Sequence, residues 1–256
     1  MWDSHIFLVA LSVTQSDGTA LKNALTQGVV NVTLKRGIFR DGSLDNGVIT
    51  HEYGHGISNR MTGGPSNVNC LNNAEQAGEG WSDFFALVLT ARAGDHATDA
   101  RGIGTWLFGQ APDGPGIRQF PYSTNLDVNP HVYDDIKLTG AEPHAVGEIW
   151  TAMVWDLYWN MVDRYGFDAN IYTGTSGNNR TLQLVVDGLA LQPCSPSFVQ
   201  SRNATLAADV ADYGGANQCL IWSTFARRGL GFGAKAGSSR KIDDGTQAFD
   251  LPQSCR

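Results

Sequence analysis

The pentapeptide His51-Glu52-Tyr53-Gly54-His55 constrains this chain more than any other feature of its sequence. Histidines four apart leave the same face of a helix, so both imidazoles can reach one point. Val48, Ile49, Tyr53, Ile57 and Met61 recur at helical spacing, and Thr62-Gly63-Gly64-Pro65 ends the run. A helix is therefore predicted over about 47–61. Two neutral ring nitrogens can hold one Zn²⁺ at about 2.0–2.1 Å each. Glu52 can reach a water on that metal without ligating it, and is placed to act as general base. Gly47 and Gly54 each cost a helix about 1 kcal/mol relative to Ala. Gly54, between Tyr53 and His55, therefore predicts the close approach of another element.

A catalytic zinc needs a third protein ligand and an open fourth position. Glu75, Glu79 and Asp83 are the downstream candidates, on a second helix predicted from about Glu75 to Arg92, with Trp81, Phe84, Phe85 and Val88 on its apolar side. Glu79 and Asp83 are four apart and share a face. One can bind the metal while the other accepts the free N–H of a ligating histidine, fixing its tautomer. Spacing leaves the choice among the three open.

The rest of the chain supplies the frame. Residues 1 to about 46 read as strands and turns, with Ile6–Leu11 as a buried strand and Val29–Leu34 as a β-branched one. Residues 93–142 are rich in Gly, Pro and Asp and read as a long irregular segment, of the kind that often carries function. Further helices are predicted over about 143–165, 179–191, 196–213 and 217–229. The fold class expected is α+β, mainly α, divided into 1–46 and a helical 47–256. A net charge of −7 argues against a nucleic-acid partner, which needs a basic face, and equally against an anionic membrane surface. No segment approaches the roughly 20 apolar residues of a membrane span. Cys70, Cys194, Cys219 and Cys255 contain no CxxC pair, which makes a cysteine-type zinc site unlikely, and they allow three disulfide pairings that the sequence does not resolve.

Three stretches together resemble the fungalysin metallopeptidases: Arg40–Gly47, the run from His51 through Arg60 into Thr62–Pro65, and Gly78-Glu79-Gly80-Trp81-Ser82-Asp83-Phe84. Leu189–Cys194 and Tyr213–Trp222 extend the resemblance, which covers about 36–232. These enzymes belong to the thermolysin-like group, and the resemblance implies a mostly helical C-terminal lobe with a shortened N-terminal β part. It implies His51, His55 and Glu79 as zinc ligands, Glu52 as general base and Asp83 as the hydrogen-bond partner of a ligand histidine. It favours Glu79 over Glu75. His144, in Glu142-Pro143-His144-Ala145-Val146-Gly147-Glu148, matches the segment carrying the second active-site histidine. The aspartate expected five residues upstream of it is Thr139 here, which leaves Glu142, Asp134 or Asp135 as candidates to orient His144. Arg118 resembles an arginine that contacts the substrate carbonyl, and an Arg fork suits that task. Tyr122 and Tyr133 are further candidate oxyanion donors, while His5, His96 and His131 read as ordinary polar residues.

The function expected is a secreted zinc endopeptidase acting on protein or peptide substrates. Its cysteines would then be disulfide-bonded, and an inhibitory propeptide, absent from this chain, is an expected partner. The alternatives are a zinc aminopeptidase and a zinc-binding but inactive fragment lacking the edge strand that pairs with substrate.

Overall fold

A computed structural model of the chain describes residues 13–33 and 40–256. The chain divides after Phe39 into two compact units.

Among the described residues of the first unit, the one element is helix α1, Gln15–Gln27, where strands and turns are predicted. Thr14 caps it: its Oγ1 accepts the Asp17 N–H at 3.1 Å and donates to Asp17 Oδ2 at 2.7 Å. Ala20, Leu21, Lys22, Ala24 and Leu25 are strong helix formers, and capping plus propensity support the helix. None of its residues is buried. Val29 and Val32, 89% and 67% exposed, lie in a segment without regular structure, so the strand predicted at 29–34 is not paired over its described residues. Leu34 and Ile6–Leu11 lie outside the described residues.

The second unit is helical, as expected: α2 (Asn46–Met61), α3 (Gly78–Thr90), α4 (Pro143–Tyr165), α5 (Gly177–Leu191), α6 (Phe198–Tyr213) and α7 (Gln218–Arg227). Extended pairing among the described residues is confined to four isolated bridges, two of them inside the irregular 93–142 segment. α4 begins with Glu142 as cap and Pro143 in its first turn, and ends at Gly166. It is apolar on every side and buried from Val146 to Trp159, the pattern of a central helix. Trp150, Trp155 and Tyr158 are 0% exposed, and aromatic side chains of this size dominate core energetics.

Close approaches set the spacing of α2, α3 and α4. A Cβ on Gly54 would stand 2.9 Å from Ser82 Cα, so the glycine admits α3 against α2, as predicted. On the other side of α3, a Cβ on Gly80 would run into the Gly147 carbonyl oxygen of α4, and Thr151 Oγ1 donates to Gly80 O at 2.8 Å across the same contact. Gly80→Ala must push the packed helices α3 and α4 away from each other, and overpacking of this kind costs about 1–3 kcal/mol. We expect the upper end of that range in urea unfolding, with Gly78→Ala, whose Cβ meets mainly the flexible Gln76 side chain, milder.

Two disulfides close the unit, Cys70–Cys194 and Cys219–Cys255. The first ties the loop after α2 to the end of α5 across 124 residues of sequence, and the second holds the C-terminus on α7. None of the described helices is long and apolar enough to cross a membrane.

Candidate metal centre

α2 starts where Asp45 caps it: Oδ1 accepts the N–H groups of Gly47 and Val48 at 2.9 and 3.3 Å, and Oδ2 that of Leu107 at 3.1 Å. From this start His51 and His55 point toward α3, with ring centroids 4.8 Å apart. α3 starts at Gly78 and not at Glu75, because Gln76 Oε1 accepts the Gly78 N–H and closes a turn ahead of the helix. Glu79 thus stands in the first turn of α3, where the helix dipole favours an anion.

The structure brings His51, His55 and Glu79 together, each offering a ligand atom within 4.8 Å of the others. His51 Nε2 is 3.1 Å from Glu79 Oε2, and His55 Nε2 is 3.5 Å from Oε1. Oε2 is nevertheless a buried oxygen without an aligned hydrogen bond. The three ligand atoms lie close enough together to share one ion, and two imidazoles with one carboxylate are the donor set of a three-ligand catalytic zinc site. The residues fit the metal.

Asp83 stands behind this site, 0% exposed. Its Oδ1 is 2.7 Å from His51 Nδ1, which leaves Nε2 for a metal. Arg118 forks it, Nε to Oδ2 at 2.7 Å and Nη2 to Oδ1 at 2.9 Å, and Tyr122 donates its hydroxyl to Oδ2 at 2.5 Å. Burial alone would raise the Asp83 pKa, but His51 and Arg118 outweigh it and hold the carboxyl below its usual range. Burial likewise would lower that of His51, yet Asp83 and Glu79 raise the ring to about 9. Glu79 is kept low, against burial, by His51, His55 and His144. A metal entering the site must displace the His51 proton, so binding releases it.

Arg118 is 8% exposed and paired, not a surface residue. Its Nη2 is also 3.5 Å from Glu79 Oε2, and no hydrogen bond among the described residues engages Nη1. His144, in the first turn of α4, brings Nε2 to 3.4 Å from Glu79 Oε2. Of the three acids left open as its partner, Glu142 is the one in contact, 2.5 Å from Nδ1. Asp134 pairs with Lys137, and Asp135 caps the 3₁₀ turn Tyr133–Leu138. Glu52 is exposed on α2 beside His51, and its charge reaches His55.

Several readings of single residues change. Tyr122 is committed to Asp83 and Tyr133 faces Glu75 at 3.5 Å, so neither hydroxyl is placed as an oxyanion donor. His131 is 7% exposed and binds Glu148 through Nε2 at 3.1 Å, while His96 is exposed. His5 lies outside the described residues. Glu148 reads in the sequence only as a polar member of an apolar helix, yet it accepts the N–H groups of Gln119 and Phe120 at 2.9 and 2.8 Å, right after Arg118. No spacing signal marks it, because both partners are distant in sequence.

Glu75 lies away from the ligand cluster, 1% exposed, accepting the Phe198 N–H at 3.1 Å. Burial first, then Asp244, push its carboxyl up to about 7 from 4.5. The folded chain therefore keeps a proton that the unfolded chain loses, and the contribution of this group to stability is fully present below 4.5 and is lost as pH rises to 7. The fall attributable to this group is about 3 kcal/mol. Glu75→Gln should flatten that slope in urea unfolding between pH 4.5 and 8 and be the more stable protein at pH 8. An unchanged slope would refute the assignment.

The chain matches the family model for fungalysin metallopeptidase (M36) over residues 10–234, starting further upstream than the motif resemblance does. It is 46% identical over 212 residues to the extracellular metalloproteinase mep of Aspergillus fumigatus, covering 80% of this chain and 33% of that protein. It is 45% identical over 225 residues to extracellular metalloproteinase 9 of Coccidioides posadasii, covering 85% and 34%. With the extracellular metalloproteinase MEP of Fusarium vanettenii the identity is 45% over 224 residues, covering 83% and 34%. The chain spans about a third of the length of the curated relatives it matches.

Proposed function

The chain belongs to the fungalysin metallopeptidase family, and from that membership we propose that it is the zinc-binding, catalytic portion of a secreted endopeptidase. The observation that carries the reading is the convergence of His51, His55 and Glu79 on one point, with Asp83 locking His51 from behind. The first 46 residues are read with it as the segment that leads into the zinc helix. Secretion agrees with the relatives' names and with two disulfides.

A zinc ion held there supplies Lewis acidity toward a peptide carbonyl and acidifies a neighbouring water. Glu52 takes the proton of the attacking water and passes it to the leaving amine. His144, oriented by Glu142, donates a hydrogen bond where negative charge gathers on the former carbonyl oxygen. Arg118 spends one edge of its guanidinium on Asp83 and keeps Nη1 for a substrate carbonyl.

Metal analysis together with hydrolysis of a denatured protein tests this. One zinc per chain and internal cleavages are expected, both lost in Glu79→Ala. A metal-free chain sinks the reading. Stepwise release from the N-terminus would make it an aminopeptidase, and zinc without any cleavage would leave a metal-binding fragment.

A further inference from the structure

A cavity of about 680 Å³ lies between the segment following Arg118 and the first turns of α4. Phe120, Val132, Ala145 and Ile149 give it apolar walls. Asp135 and Glu142 line it too, with side chains 35% and 51% exposed, so they stand at its solvent side. His131, also lining it, is bound to the carboxylate of Glu148, whose side chain is 4% exposed. Two cations stand nearby and both are already committed. Lys137 pairs with Asp134 at 2.9 Å, and Arg228, which donates to the His131 carbonyl, is paired with Asp156 at 2.8 Å. The cavity therefore keeps an excess of negative charge.

The cavity is joined to the site through two elements. Glu142 is also the residue in contact with His144, whose other nitrogen faces Glu79. Gln119 and Phe120 directly follow Arg118 and are clamped to α4 by Glu148.

We propose that this cavity is a substrate subsite that takes a basic side chain: its aliphatic stem against Phe120, Val132 and Ile149, its cationic head between Asp135 and Glu142. The stem and head of Arg or Lys match an apolar wall with carboxylates at the opening. The occupant is chosen by charge: the two carboxylates are met by backbone N–H groups and by His131 and His144, with no Lys or Arg paired to either, so a cation adds the counter-charge that a neutral side chain does not. The proposal rests on the peptidase reading above, and its test is chosen so that the two can fail separately.

The probe is Nα-acetyl-arginine methylamide, with its citrulline analogue as the neutral isostere. Both are titrated into the full chain labelled at Ile, Leu and Val methyl groups, while zinc content is measured independently. The arginine probe should shift the signals of Val132, Leu138 and Ile149 saturably and bind about tenfold more tightly than citrulline, the gain of two partly exposed ion pairs. Asp135→Asn should reduce the ratio to about threefold, and Ala145→Lys, which brings its own cation to the cavity, should abolish it. Co²⁺ loaded in place of zinc should broaden the probe's signals. Equal binding of arginine and citrulline, or no saturable shift, overturns the proposal even if zinc is bound. Binding without Co²⁺ broadening overturns the assignment as a subsite of this centre. A chain that binds the probe but no zinc overturns the peptidase reading and, with it, the subsite.

Discussion

Glu52→Gln is expected to lower hydrolysis of a denatured protein by about a thousandfold while leaving one zinc per chain. General-base catalysis contributes on the order of 10²–10⁴, and Gln keeps the size and polarity of Glu while it cannot accept the proton. The zinc should stay because His51, His55 and Glu79 are untouched, and because Glu52 is exposed and makes no contact on which α2 depends. Stability should therefore change by less than about 0.5 kcal/mol, as for an ordinary surface substitution. The comparison separates base from ligand: Glu79→Ala loses metal and activity together, whereas Glu52→Gln loses activity alone. A Glu52→Gln protein that cleaves within tenfold of the parent would remove Glu52 from the mechanism.

Asp83→Ala is expected to have the largest effect on the protein itself. The carboxylate is 0% exposed and answers four donors, on His51, Arg118 (two) and Tyr122. Its removal strands the buried guanidinium of Arg118 without a counter-ion, a loss of about 3–5 kcal/mol. It also frees the His51 ring from its orientation, and loss of such a partner lowers metal affinity by about 10–100-fold. Urea unfolding at pH 7 and competition for zinc with a chelating dye measure the two effects. Asp83→Asn should also be damaging, because every group facing this side chain donates and the amide brings donors of its own. Pairing Asp83→Asn with Arg118→Gln should cost less than the two changes summed, as for residues in one network. Because the Asp83 carboxyl is held below its usual range, its contribution is present at neutral pH and is lost as the solution is acidified below about 4. An Asp83→Ala protein within about 1 kcal/mol of the parent would show that Arg118 finds another partner.

The elements legible in the sequence are those written in one period or one cap. α4 starts and stops where Pro143 and Gly166 place it, and α2 ends where Thr62-Gly63-Gly64 breaks the pattern. Gly54 announces a close approach without naming the partner, and Ser82 is that partner. α1 escapes the reading because its apolar stretch, Ala20, Leu21, Ala24 and Leu25, is short and set among polar residues, and none of the helix is buried. Glu148, His131 and Tyr122 are hidden for a different reason: each acts through contacts 17 to 39 residues away in an irregular segment.

By itself, then, the sequence determined which residues can meet a metal. Positions four apart on a helix share a face whatever surrounds them, and that put His51 with His55 and Glu79 with Asp83. It could not rank Glu75 against Glu79 by spacing, pair the cysteines or say which acid holds His144. Those are questions of distance between groups, which only the folded chain answers; for Glu79 the answer is the packing of α3 between α2 and α4. That packing turns Glu79 toward the histidines and Asp83 behind them, and leaves Glu75 buried against Phe198 at the start of another helix.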